Sequence, residues 1–153
     1  MKVKLIMLQG LPASGKSTWA RNWVNNSPNT RVRVNRDDIR RMLGPYFFTK
    51  EREKLVTLIE STAIREGLKK NFDVVIDATN LNPKVVNKWK TYVESIAKDQ
   101  DIEFEIINFN TPVEECIIRD KNRKGDECVG EQVIMRMYNN YLKKDNDELV
   151  KSA

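Results

Sequence analysis

Two kinds of apolar pattern alternate along this chain. Short runs rich in β-branched residues, at 3–8, 31–34, 73–77 and 102–109, are bounded by polar or glycine-containing turns and read as strands. Between them, apolar residues recur at helical spacing: Trp19, Ala20 and Trp23 within 16–25, and Leu55, Ile59 and Ala63 in a long helix capped by Thr49 and running to about residue 71. Val85/Val86, Trp89, Tyr92/Val93 and Ile96/Ala97 form a core-facing stripe in a helix opened by Asn82-Pro83. Thr111-Pro112-Val113-Glu114 reads as a capping box with Pro at the first helical position. It opens a helix that carries Ile117 and Ile118 and ends at Gly125. Gly130 opens a last helix, whose inward stripe includes Val133/Ile134, Met137/Tyr138 and Tyr141/Leu142.

This strand–helix alternation predicts an α/β fold: a four-stranded parallel sheet with helices on both faces, in one domain spanning 1–153. Residues 114–130 are expected to form a lid, and 143–153 a polar tail that frays.

The strand at 3–8 runs into Gly10-Leu11-Pro12-Ala13-Ser14-Gly15-Lys16-Ser17-Thr18, and a helix follows. This is G-x-x-x-x-G-K-[ST], the P-loop, in its required strand–loop–helix setting; it predicts a P-loop NTPase fold of the kinase type. Gly10 and Gly15 are expected to let the backbone curl through positive φ, so that successive N–H groups face a phosphate. The free N–H groups and positive dipole end of the next helix would face the same anion. Lys16 is expected to reach the β/γ-phosphates of ATP, and the Ser17 hydroxyl to hold Mg²⁺.

Two further strand ends carry chemistry, because ligands of open α/β sheets bind beyond the carboxyl ends of strands. The strand at 31–34 delivers Asn35-Arg36-Asp37-Asp38-Ile39-Arg40-Arg41. In a helical turn Asp37 and Arg40 share a face, and an N-cap with a solvated charge cluster is the equal alternative. The strand at 73–77 ends in Asp77, an acid at the end of an apolar strand as in Walker-B Mg²⁺ sites, and Ala78-Thr79-Asn80 then lies in the same loop. Arg119 and Arg123, spaced i,i+4, are either a lid that supplies an arginine to the transition state or a solvated basic helix; spacing alone favours the second. Tyr46-Phe47-Phe48 either stacks a nucleobase or anchors a loop to the core, and the anchor is the more frequent use of such a trio.

Composition narrows the chemistry. The chain of 153 residues has no histidine, so a general base must be a carboxylate or, failing that, Lys, Tyr or Cys, and a His-containing zinc site is excluded. A net charge of +5 mildly favours a polyanionic partner. No apolar stretch approaches the ~20 residues of a membrane span. Cys116 and Cys128 suggest no structural bridge, since a P-loop points to a reducing, ATP-rich compartment, the cytoplasm.

In order, G-L-P-A-S-G-K-S-T-W-A-R (10–21), N-R-D-D-I-R (35–40), D-A-T-N-L-N-P (77–83) and R-D-K-N-R (119–123) make the chain resemble the kinase domain of bacteriophage-type polynucleotide 5′-kinases over nearly its whole length. The resemblance implies ATP- and Mg²⁺-dependent phosphorylation of the 5′-hydroxyl of DNA or RNA, in host cytoplasm if phage-encoded. By position, Asp37 matches the family's general base, Arg40 the arginine on the acceptor phosphate and Arg123 the lid arginine. The loop from Gly10 through Pro12, Ala13, Ser14, Gly15, Lys16, Ser17 and Thr18, with Arg119, would bind ATP. Arg36, Arg40, Thr79 and Asn80 would contact the acceptor, and Ser17 and Asp77 the metal. One departure is visible: in the best-known phage members the acid directly precedes Thr-Asn, where Ala78 stands here. No strand ends in D-x-D-G-[TS], so no phosphatase domain is expected in this chain. The rival readings are a P-loop kinase acting on a sugar, nucleoside or nucleotide-sugar, and a non-catalytic nucleotide-binding module.

Overall fold

The computed structural model describes residues 2–143; the expected tail lies, from residue 144 onward, outside the described residues. Four strands, β1 (Val3–Gln9), β2 (Arg31–Val34), β3 (Asp73–Ile76) and β4 (Ile102–Asn108), form one parallel sheet in the order β2-β3-β1-β4. β1 therefore sits beside β3, and because the strands are parallel their carboxyl ends open on the same edge. Leu5 pairs with Val74, Met7 with Ile76 and Leu8 with Ile107, which places the P-loop and Asp77 side by side.

The period-2 alternation of β1 sends its side chains to two cores. Val3, Leu5 and Met7 join Val74, Ile76, Ile64, Leu68 and Trp89 beneath α3 (Lys50–Lys69) and α4 (Pro83–Ser95). Ile6 and Leu8 join Val75 and Ala20 on the opposite face, beneath α1 (Lys16–Asn25), where Trp19 stacks on Trp23 with ring centroids 6.0 Å apart. A third cluster (Leu11, Leu81, Cys116 and Ile134) seats α5 (Val113–Lys121) and α6 (Glu131–Tyr141) against the end of the sheet. Both cysteines are free thiols.

The caps are those the residue types dictate. Thr49 accepts from the Arg52 N–H to start α3, Asn82 from the Lys84 N–H to start α4, and Asn35 from the Asp38 N–H to start α2 (Arg36–Leu43). The N-cap of α2 is thus Asn35, which leaves both aspartates that follow it free for other work.

Four expectations are corrected. Thr111 caps nothing: α5 begins at Val113 with Pro112 as its N-cap, and the Thr111 hydroxyl instead donates to the Ser14 carbonyl (3.0 Å), tying the start of the lid to the P-loop. α5 stops at Lys121 rather than Gly125, so Arg123 lies beyond the helix and does not share a helical face with Arg119. Gly10 does not take positive φ; Ala13 (φ 63°) and Gly15 (φ 103°) do. Gly10 is needed for room, since a Cβ there would stand 2.8 Å from the Phe109 carbonyl oxygen and 2.9 Å from Ser14 Oγ. Finally, Tyr46-Phe47-Phe48 is not a core anchor: Phe47 is 44% and Phe48 59% exposed.

Candidate active site

The P-loop curls over the N-terminus of α1. Among the described helices, α1 alone has neither a side-chain cap nor an acid in its first turn, so its leading N–H groups and dipole are uncompensated. Such an end is a ready anion site.

Inside the curl lies Lys16, only 7% exposed, whose ammonium donates to the Leu11 carbonyl (2.5 Å) and Ser14 Oγ (3.2 Å). Burial pushes its pKa down to about 8; Asp77 opposes the shift and the charge of Arg123 adds to it. The charges of Asp77 at the neighbouring strand end and of Arg123 on the lid thus both bear on Lys16. Arg119 is held instead by Glu115 on the exposed side of α5 (2.5 Å), an i,i+4 pair.

The lowered pKa makes a testable pH dependence. Phosphate oxygens favour the charged ammonium, so binding a nucleotide raises the Lys16 pKa. Below about pH 8 the amine is already charged and affinity is full. As pH rises through 8 the free protein must take up a proton to bind, and ATP affinity is expected to fall by up to about tenfold per pH unit. Calorimetric titration of ATP from pH 7 to 9.5, in buffers of different ionisation enthalpy, checks this; affinity flat across that range sinks it.

Asp77 stands one residue beyond β3 and is 1% exposed. Its Oδ2 accepts from Ser17 Oγ (2.8 Å) and from Arg33 Nε (2.7 Å), and its carbonyl accepts from Asn35 Nδ2. A hydroxyl and a carboxylate at the mouth of a phosphate loop are hard oxygen donors of the kind Mg²⁺ takes alongside nucleotide phosphates and water. The described residues contain no cluster of three or more His, Cys, Asp or Glu able to hold a metal alone.

Arg33, on β2, went unnoticed in sequence. Its NH1 reaches Asp38 Oδ2 (2.6 Å) while its Nε holds Asp77, so one guanidinium bridges the P-loop neighbourhood to α2. Alternation along Arg31-Val32-Arg33-Val34 was the available signal, because it sets Arg31 and Arg33 on one face of the strand that delivers Asp37 and Asp38. Burial alone would raise the Asp38 carboxyl, but Arg33 and Arg41 outweigh it and hold that pKa below its ordinary value.

Asp37 diverges from Asp38, as neighbours on a helix must. Its Oδ1 accepts from Arg40 NH1 (2.7 Å) and from the Tyr46 hydroxyl (2.8 Å), and the side chain is 43% exposed. Burial and the Asp37 carboxylate push the Tyr46 phenol up to about 12, so it stays a donor. Arg40 is forked onto Glu53 of α3 (2.9 and 2.6 Å), leaving two of its five N–H groups unengaged. Arg36 is held by Thr57 and Glu60 of the same helix. The long helix α3 therefore positions both arginines.

The other acceptor candidates separate. Arg36, Thr79 and Asn80 surround one cavity of about 170 Å³ that Ile76, Leu81, Val85 and Trp89 complete. The Asn80 amide, however, is committed to the Leu8, Ile76 and Ala78 carbonyls, and it locks the ends of β1 and β3 together. On the lid, buried Asp120 accepts from the Val129 and Gly130 N–H groups and fixes the return into α6. Arg123 is held loosely, 3.4 Å from the Glu127 carbonyl and 4.0 Å from Asp120. A 3₁₀ turn at Gly125–Glu127 closes the lid onto α2 through Arg41 and Asp126 (2.9 Å).

A parallel sheet whose first strand feeds an uncapped helix through a lysine-bearing loop, with an acid of the adjacent strand on the loop's serine, defines a P-loop nucleotide-binding fold. Within that class the chain belongs to the AAA domain family, which matches residues 5–143. A putative bifunctional polynucleotide kinase/RNA ligase of Autographa californica nuclear polyhedrosis virus is 26% identical over 159 residues, 95% of this chain and 22% of that protein. Two solved structures, of a Pnkp1/Rnl/Hen1 complex and of the Pnkp1/Rnl/Hen1 RNA repair complex, contain similar chains. They are 36% and 29% identical, with TM-scores of 0.59 and 0.65, and cover 76% and 90% of this chain. This chain in turn spans 39% and 44% of those chains. The Mycobacterium tuberculosis APS kinase CysC, solved with AMPPNP and APS, shares the fold at 18% identity and a TM-score of 0.55, over 78% of this chain and 69% of that one. Among the described residues no helix is long and apolar enough to cross a membrane.

Proposed function

We propose that this domain is a polynucleotide 5′-kinase, transferring the γ-phosphate of ATP to the 5′-hydroxyl of DNA or RNA. The observation that carries this reading is the continuous chain Ser17–Asp77–Arg33–Asp38, which fastens the phosphate loop to the helix bearing Asp37. The relatives named for polynucleotide kinase or Pnkp1 support the acceptor class.

The P-loop N–H groups and Lys16 bind and neutralise the β/γ-phosphates. Ser17 and Asp77 would hold Mg²⁺, which when bound supplies charge neutralisation across the same phosphates. Asp37 has one oxygen fixed by Arg40 and Tyr46, while its Oδ2 accepts no hydrogen bond among the described residues. That oxygen takes the proton of the 5′-hydroxyl as the hydroxyl oxygen bonds to the γ-phosphorus and the bond to ADP breaks. The two unengaged N–H groups of Arg40 face the acceptor's phosphate. Arg123 swings from its weak contacts onto the transferring phosphoryl group. Positioning and charge, rather than covalent participation, carry the rate.

The cavity beside Thr79, about 170 Å³, is smaller than the roughly 300–1,000 Å³ of small-ligand pockets, which disfavours an enclosed small acceptor there. Transfer of label from ATP is expected to 5′-hydroxyl oligonucleotides and not to sugars, nucleosides or nucleotide-sugars. Label on the small acceptors alone would replace this reading with its rival, and ATP binding without transfer to any acceptor would leave a binding module.

A further inference from the structure

The aromatic trio belongs to none of the cores, yet it is built rather than loose. Each ring carries a guanidinium against it: Arg41 over Tyr46 (5.4 Å), Arg52 over Phe47 (4.6 Å) and Arg40 over Phe48 (4.8 Å). Tyr46 and Phe48 also meet edge to face at 5.3 Å. The guanidiniums are themselves fixed, Arg40 by Glu53, Arg41 by Asp126 and Arg52 by the Leu43 carbonyl. Phe47 and Phe48 nevertheless stay among the most exposed large apolar side chains described. Exposed rings held rigid by cations are surfaces for a flat, electron-rich partner.

Two placements identify that partner. First, the Tyr46 hydroxyl bonds the same Asp37 oxygen that Arg40 does, so the platform begins one side chain from the proposed base. Second, Thr49 alone separates Phe48 from Lys50, which shares one open face of α3 with Glu53, Lys54 and Thr57. Glu53 is neutralised by Arg40 and Arg36, while Lys50 and Lys54 have no partner among the described residues. The lysines therefore set the sign of that face. Exposed rings beside a basic surface are the two components of a single-strand nucleic-acid track: bases stack on the rings and phosphates follow the cations.

We propose that Phe47 and Phe48, with the Lys50 and Lys54 side chains, form a subsite that stacks and holds the nucleotides following the 5′-terminal one of a single-stranded acceptor. This rests on the reading of the domain as a 5′-kinase and adds to it the residues that seat the acceptor beyond its reacting end.

The test uses the full chain and a ladder of 5′-hydroxyl acceptors, from a nucleoside 3′-monophosphate to a hexanucleotide, with 2-aminopurine at successive positions. In the parent protein, kcat/KM is expected to climb over the first few nucleotides and the 2-aminopurine that follows the 5′-terminal nucleotide to be quenched. Phe48→Ala should flatten that climb, raising KM for the hexamer by roughly five- to a hundredfold, as loss of one base stack does. The KM for ATP should hold, and the shortest acceptor should lose far less. Phe48→Tyr keeps a stacking face and should restore both the climb and the quench. Lys50→Gln with Lys54→Gln should make the log–log salt slope of hexamer binding shallower by about 1.4, two single-strand phosphates' worth.

Length dependence unchanged in Phe48→Ala, an equal loss on the shortest and longest acceptors, or a change of oligomeric state in sedimentation each overturns the track; the last would make the rings a protein interface. A parent protein that labels oligonucleotides with no preference for length defeats this inference and leaves the kinase reading standing. One that labels none of them defeats both.

Discussion

Replacing Arg123 by alanine is expected to lower the rate of phosphoryl transfer by about 10³-fold or more, with ATP still bound. An arginine delivered to the transferring group is worth on the order of 10³–10⁵, because charge spreads over the equatorial oxygens only as the bond breaks. Three features support the proposal of that role for Arg123. Its charge is felt at the buried Lys16 ammonium. Its own contacts are weak, 3.4 and 4.0 Å, so little is lost when it moves. The segment that carries it is pinned at the far end by Asp120, through the Val129 and Gly130 N–H groups. Arg123→Lys should recover only part of the loss, since an ammonium lacks the planar fork of donors. Single-turnover transfer at saturating ATP and acceptor measures it. If the alanine variant instead transfers at full rate and only binds oligonucleotides more weakly, Arg123 is an acceptor contact and the lid assignment fails.

Asp37→Asn is expected to fold, to bind ATP and to lose about 10²–10⁴ in the transfer step, the usual worth of a general base. The amide keeps an acceptor for Arg40 and Tyr46 but cannot take a proton. Asp37 is 43% exposed and Arg40 keeps its pairing with Glu53, so removing the charge costs little stability. Asp38→Asn behaves differently. Asp38 accepts from Arg33 and Arg41, and losing its charge loosens the bridge from α2 to Asp77. It should lower stability and weaken binding while leaving the single-turnover rate of bound substrate within about tenfold of the parent, far less than a missing base costs. A dead Asp38→Asn beside an active Asp37→Asn would show that the base is Asp38. Two fully active variants would remove this segment from the chemistry.

The two aspartates show how much of the site was legible beforehand. Two adjacent acids at the start of a helix must point apart, and that follows from helical geometry alone. Which of them faces the acceptor depends on what each meets, and Arg33, Arg41 and Tyr46 come from three different segments. Asp77 is similar. Its position at the end of an apolar strand was plain, whereas its contact with Ser17 depends on β3 lying in register beside β1. The two features misread around α5 share one cause. The Thr111-Pro112 capping signal and the helical reading of Arg119 with Arg123 are local preferences. A bond from Thr111 to the P-loop and a helix that stops at Lys121 override them.

By itself the sequence determined the features that depend on neighbours along the chain. Alternation of apolar residues set the strands, three- and four-residue spacing set the helices, and the glycine–lysine–serine pattern marked the phosphate loop, because each is decided within a few residues by sterics and local hydrogen bonding. Tertiary structure alone decided the pairings at long range. It put Arg33 between Asp77 and Asp38, Glu53 under Arg40, and Phe47 and Phe48 outside the core on arginines. Those pairings answer to the energy of buried charge: a guanidinium or carboxylate drawn out of water must find its counterpart wherever the fold brings one within reach. No spacing along a chain encodes that.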